Sequence, residues 1–176
     1  MKGFDRENRW FSLCGLNCGL CPMFIGHYCP GCGGGEGNQS CKIARCGLDH
    51  GVTDYCFRCA GYPCQFYDRI DDYDSFITHR RRRVDMARAQ EIGLERYTEE
   101  QREKAAILAA LLEGYNDGRR KSFYCLAVNL LDLPVLRRVM EALEGLSLKE
   151  GSALAVRLLQ EAAEEAGVSL KLRRKK

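Results

Sequence analysis

Histidine is scarce in this chain: His27, His50 and His79 are all it has in 176 residues, and no H-E-x-x-H pair occurs. Catalytic zinc usually mixes histidine or carboxylate with an open water position, so a hydrolytic zinc enzyme is not expected. Long apolar runs are missing too. No stretch reaches the roughly 18 residues of a membrane span. The opening MKGFDRENRW lacks the apolar segment and small-residue cleavage site of a secretory signal. Both absences predict a cytoplasmic protein with no membrane partner. Prolines number four and no low-complexity linker interrupts the chain, so its parts are expected to pack together. Net charge is only +3, and in residues 1–67 six Lys and Arg meet five acids. That balance is too even for an electrostatic nucleic-acid clamp on this half.

Cysteine is what the chain has in plenty. Ten of its eleven cysteines crowd into one stretch: Cys14, Cys18, Cys21, Cys29, Cys32, Cys41, Cys46, Cys56, Cys59 and Cys64. Intervals of two to four residues let thiolates from one turn converge on a tetrahedral ion, and paired C-x2-C units such as Cys29 with Cys32 and Cys56 with Cys59 are the usual mark of structural zinc. An odd total and a reducing compartment argue against disulfides. All ten are therefore candidate metal ligands, enough for two zinc ions with four thiolates each. A grouping that respects both pairs puts Cys29, Cys32, Cys56 and Cys59 on one ion. The other would draw on Cys14, Cys18, Cys21, Cys41, Cys46 and Cys64, with two left over. His27 and His50 lie close to cysteines but are expected to be bystanders.

The alternative is an iron–sulfur cluster with a redox or electron-transfer role, because C-x3-C-x2-C at 14–21 can hold three irons and thiolates alone do not distinguish the metals. The same spacing opens radical S-adenosylmethionine enzymes. Those need a βα barrel after the motif, and this chain turns to more cysteines and then to helices. No catalytic residue is assigned, and catalysis is not expected.

Motif order carries a resemblance. Cys-Gly-Leu-Asn-Cys-Gly-Leu-Cys-Pro at 14–22, Cys-Pro-Gly-Cys at 29–32, Cys-Lys-Ile-Ala-Arg-Cys at 41–46, Gly51-Val52 and Cys-Phe-Arg-Cys-Ala-Gly-Tyr-Pro-Cys at 56–64 resemble the cysteine-rich family known as domain of unknown function 3795. Tyr-Asn-Asp-Gly-Arg-Arg-Lys-Ser-Phe-Tyr-Cys-Leu-Ala at 115–127 is similar to one of its subgroups. The resemblance implies zinc binding and transfers no catalytic residue.

The fold class expected is mainly α, with an irregular cysteine-rich metal-binding module at residues 1–67, little β-structure, and a helical region at 68–176 packed on it. Trp10, Phe11 and Leu13 form an apolar lead-in expected to pack on the first metal turn. Asp74 or Ser75 is placed to cap a helix carrying Phe76, Ile77, Val84 and Met86 as far as Gly93. Thr98 with Gln101 and Ser147 with Glu150 read as capping boxes, and Asp132 caps a helix with Pro134 in its first turn. Ser122 starts an apolar helix in which Cys125 is a packing residue. The basic block His79–Arg83 reads as a solvated or partner-facing surface, and the terminal KLRRKK as a frayed tail. The expected role is a structural or interaction module for a protein or nucleic-acid partner.

Overall fold

The computed structural model describes residues 1–35 and 41–175. Seven α-helices are found among them: α1 (Pro22–Ile25), α2 (Lys42–Asp49), α3 (Arg82–Ile92), α4 (Leu94–Gly114), α5 (Lys121–Leu130), α6 (Leu133–Leu143) and α7 (Leu148–Glu165). Strand-like pairing among the described residues is confined to two isolated bridges, Asp5 with Gly34 and Phe11 with Asn17. The chain is thus mainly helical, with the ten cysteines before residue 65 carried on short helices, single 3-10 turns and loops.

Helices α4 to α7 enclose the main core, where Leu108, Leu111, Tyr124, Val128, Leu136, Leu143 and Leu159 are almost fully buried. Cys125 lies in the same core, as a packing residue should. Leu20, from the turn Cys18–Leu20, reaches into this core. A second cluster joins Phe11 and Tyr55 of the cysteine-rich part to Met86, Ala89 and Tyr97 of α3 and α4. Burying about 25 cal/mol per Å² of apolar surface makes each such contact a stabilising tie between the two parts.

Several boundaries differ from the sequence pattern. The helix expected from Asp74 starts only at Arg82, because Asp74 is taken by other work. Its carboxylate accepts the His79 amide and the Arg173 amide and guanidinium, which leaves Phe76 and Val84 exposed. Thr98 caps nothing: α4 begins a turn earlier, directly after Gly93 (φ +85°), and the extra turn buries Tyr97. The Ser147–Glu150 capping box forms as expected. Asp132 does occupy the N-cap of α6 with Pro134 in the first turn, but its carboxylate pairs with Arg81 at 3.0 Å and caps no amide.

The basic block is spent inside the molecule. Arg80 donates to the carbonyls of Ser169 and Lys171, Arg81 to Asp85 and the Leu130 carbonyl, and Arg83 to Asp71 and the Tyr67 carbonyl. Arg82 is buried 3.5 Å from Asp71. These contacts strap residues 169–173 down, so the tail is docked over that length; Lys176 lies outside the described residues.

Gly15 shows how closely the first cysteine loop seats on α3. Its φ is +92°, and a Cβ there would fall 2.5 Å from Met86 Cγ and 2.7 Å from the Arg82 carbonyl. Gly15→Ala combines left-handed strain with overpacking and should destabilise the protein by about 2–4 kcal/mol, read as a lower urea midpoint.

Candidate metal centre

Three sets of sulfurs emerge from the way the loops fold. The first holds Cys14, Cys18 and Cys32. Burial, followed by the proximity of Cys32, Cys14 and Cys21, pushes the Cys18 thiol well up, while the Cys32 amide donates to its sulfur. Burial also raises Cys32, against the Arg6 guanidinium and the Leu13 amide, which favour its thiolate; Cys14 and Cys41 lie nearby. Backbone N–H groups aimed at sulfur are the arrangement that stabilises ligand thiolates. Arg6 is buried beside them, its fork donating to the carbonyls of Phe11, Thr53 and Asp54 and its plane 4.9 Å from the Tyr55 ring. It staples three loop segments around the cysteines.

The second set is Cys46, Cys56, Cys59 and Cys64, which wall one cavity of about 30 Å³ together with His50, Tyr62 and Tyr67. A single water needs at least about 10–15 Å³, so the space suits one small ion. Helix α2 delivers Cys46, and the turn Cys56–Arg58 delivers Cys56 and Cys59. Burial pushes Cys56 up to about 12. The enclosed Tyr67 hydroxyl beside it makes no well-formed hydrogen bond, and its proximity favours the Cys56 thiolate. His50 Nδ1 lies 2.9 Å from the Cys46 carbonyl and 3.6 Å from its sulfur. A carbonyl can only accept, so Nδ1 carries the proton and His50 braces Cys46 as a donor.

Cys21 and Cys29 make up the third set, with Cys125 of α5 beside Cys21. The amides of Met23 and Phe24 donate to Cys21. The fold places Cys32 beside Cys14 and Cys18, and Cys56 and Cys59 around one cavity with Cys46 and Cys64, while Cys14 also lies near Cys56. Among the described residues, no three Cys, His or carboxylate groups converge in coordination geometry as they stand. The donor chemistry, the cavity size and the orphaned Tyr67 hydroxyl fit a thiolate-bound ion.

Asn17 lies inside the first loop, between Cys14 and Cys18, and the sequence gives no hint of its task. It is buried, its Nδ2 donating to Asp85 Oδ2 at 2.8 Å and its Oδ1 accepting from the Tyr97 hydroxyl at 3.0 Å. Asp85 also accepts from Arg81, and burial pushes its carboxyl up to about 6. Arg81 and Lys104 cap the last carbonyls of α5 and the residue after it, Lys104 Nζ lying 2.7 Å from the Leu131 carbonyl. The cysteine loop is thus wired by hydrogen bonds to α3, α4 and α5. Trp10, in contrast, is 41% exposed and packs edge-on against Phe24, so it is not a core residue.

Burial, then the charge of Arg81, holds Lys104 down at about 8. An unfolded lysine titrates near about 10.4. Between those values the unfolded chain binds the extra proton, so this group makes stability rise with pH from about 8 to about 10. Lys104→Met removes that contribution. The unfolding free energy of the wild type relative to Lys104→Met should grow by about 2 kcal/mol between pH 8 and pH 10, measured by urea titration at each pH.

Comparison with protein-family models, curated proteins and solved structures returns no match.

Proposed function

We propose that this chain is a zinc-dependent structural and interaction module of the cysteine-rich kind represented by domain of unknown function 3795. In this reading two ions hold the loops at 1–67 in register against the helices. The observation that supports it most is that Cys46, Cys56, Cys59 and Cys64, from three separate segments, all line one cavity of ion size. One ion would be held by those four thiolates. The other would be held by Cys14, Cys18 and Cys32, with a fourth thiolate from Cys41, which lies near Cys32. Zinc supplies structural cross-linking with no redox chemistry of its own. The partner is a protein rather than a nucleic acid, a choice supported by the internal engagement of Arg80, Arg81, Arg82 and Arg83.

The test is metal analysis with an absorption spectrum on protein purified without oxygen. The expected result is a colourless protein with about two zinc per chain. Cys46→Ser should lower that to about one, and Cys125→Ser should leave it unchanged. A brown preparation absorbing near about 400 nm would replace this reading with an iron–sulfur one.

A further inference from the structure

One sizeable cleft is lined by no cysteine. It spans about 690 Å³ between α3, α4 and the start of α6, within the roughly 300–1,000 Å³ of small-molecule sites. Asp85, Tyr97, Gln101 and Lys104 all reach it, and each is more than nine-tenths buried. Two of them carry unused hydrogen-bonding capacity. The Gln101 Oε1 is enclosed and meets no donor. The Lys104 ammonium has three N–H groups and spends one on the Leu131 carbonyl. A buried polar atom left unpaired costs about 1–3 kcal/mol, so a site that retains one is incomplete.

Gln101 and Lys104 lie three apart on α4, which sets them side by side on one face. Rotation about the last side-chain bond of Gln101 exchanges its amide oxygen and nitrogen, so it can present an acceptor to the cleft. Whatever satisfies the pair must accept from an ammonium and donate to an amide oxygen a few ångströms away. Charge narrows the choice further. Five acids and five bases line the cleft, and the rim bases Arg88 and Arg137 are each held by two hydrogen bonds, to Glu100 and Glu103. No surplus of positive charge remains for a polyanion such as phosphate.

We propose that this cleft binds a small carboxylate bearing a neighbouring hydroxyl or amino group, its carboxylate accepting from Lys104 and its O–H or N–H donating to the Gln101 amide. A ligand carboxylate engages the unused Lys104 donors and the neighbouring O–H or N–H engages the rotated Gln101 amide oxygen, a contact that a carboxylate without the second group does not make. The inference is independent of which metal the cysteines hold.

Calorimetry on the full chain, with L-lactate, L-serine, acetate and inorganic phosphate as probes, tests it. Lactate or serine should bind at least about tenfold more tightly than acetate or phosphate. Gln101→Leu, which breaks no internal bond of the Gln101 oxygen, should erase that preference without lowering the melting temperature. Leu133→Trp, on the cleft wall, should block every probe by filling the space. The proposal is overturned if no probe binds at about 10 mM, if phosphate binds most tightly, if acetate matches lactate and serine, or if Gln101→Leu retains the wild-type preference.

Discussion

Stripping the folded protein with a strong zinc chelator should lower its melting temperature by more than about 10 °C, and restoring zinc should recover the loss. The size follows from how little else holds residues 1–67. Their own apolar cluster is small, built on Phe4, Leu13, Ile43 and Ala44 with sulfur-bearing side chains around it. The helices there are short, and most of the backbone is turn and loop. A structural zinc contributes on the order of 10 kcal/mol to the folding of such a segment. Without the ions, burial pushes the thiols of Cys18, Cys32 and Cys56 up, so neutral sulfurs replace the cross-links. The loss does not stop at the module. Leu20 leaves the main core, Phe11 and Tyr55 leave Met86 and Tyr97, and a destabilisation of several kcal/mol in a chain of this size moves the midpoint by about 2–4 °C per kcal/mol. Far-UV circular dichroism should keep most of its helical signal below the new midpoint, because α4 to α7 retain each other. A chelated protein that melts with the untreated one would sink the metal reading.

The sequence makes the class of fold and the existence of a cysteine module legible, because both rest on local signals. Apolar spacing defines α4, α6 and α7, and the Ser147–Glu150 box marks the start of α7 to the residue. Local rules fail where a side chain has a better distant partner. Asp74 has cap chemistry but binds the tail 99 positions away through Arg173. Thr98 and Gln101 have box spacing, yet burying Tyr97 extends α4 past them. The four arginines at 80–83 look like a surface patch, and three-dimensional folding turns them into straps for Tyr67, Asp71, Leu130 and Ser169. Which cysteines share a site is likewise a tertiary matter. Cys41 and Cys46 look like a pair in sequence, but five helical positions amount to a rotation of roughly 140°. They face apart, Cys41 toward Cys32 and Cys46 toward Cys64 and Cys59. The Cys56 amide, bonded to the Leu13 carbonyl at 2.9 Å, fixes how close the two sets come.

Asn17→Leu should cost about 2–4 kcal/mol, a large effect for a residue that touches no proposed ligand sulfur. The shapes are similar, so little cavity is made, and the penalty comes from what is left behind. Asp85 would lose the amide donor to Oδ2, and the Tyr97 hydroxyl would lose the Asn17 acceptor, in a site where both residues are almost fully buried. Arg81 continues to hold the other carboxylate oxygen at 3.3 Å, which keeps the cost below that of a fully orphaned charge. Asp85→Leu alone removes the same partner from the other side. If the two residues act as a pair, the double variant should be less damaging than the sum of the singles by about 1–3 kcal/mol. The position of Asn17 adds a readout that a merely structural tie would not move. It sits one residue before Cys18, in the loop that presents Cys14 and Cys18, so freeing it releases the backbone that orients both sulfurs. The variant should surrender one of its two ions to a chelator several-fold faster than the wild type while the ion among Cys46, Cys56, Cys59 and Cys64 leaves at an unchanged rate. Equal release of both ions would mean that the Asn17 bridge steadies the helices alone.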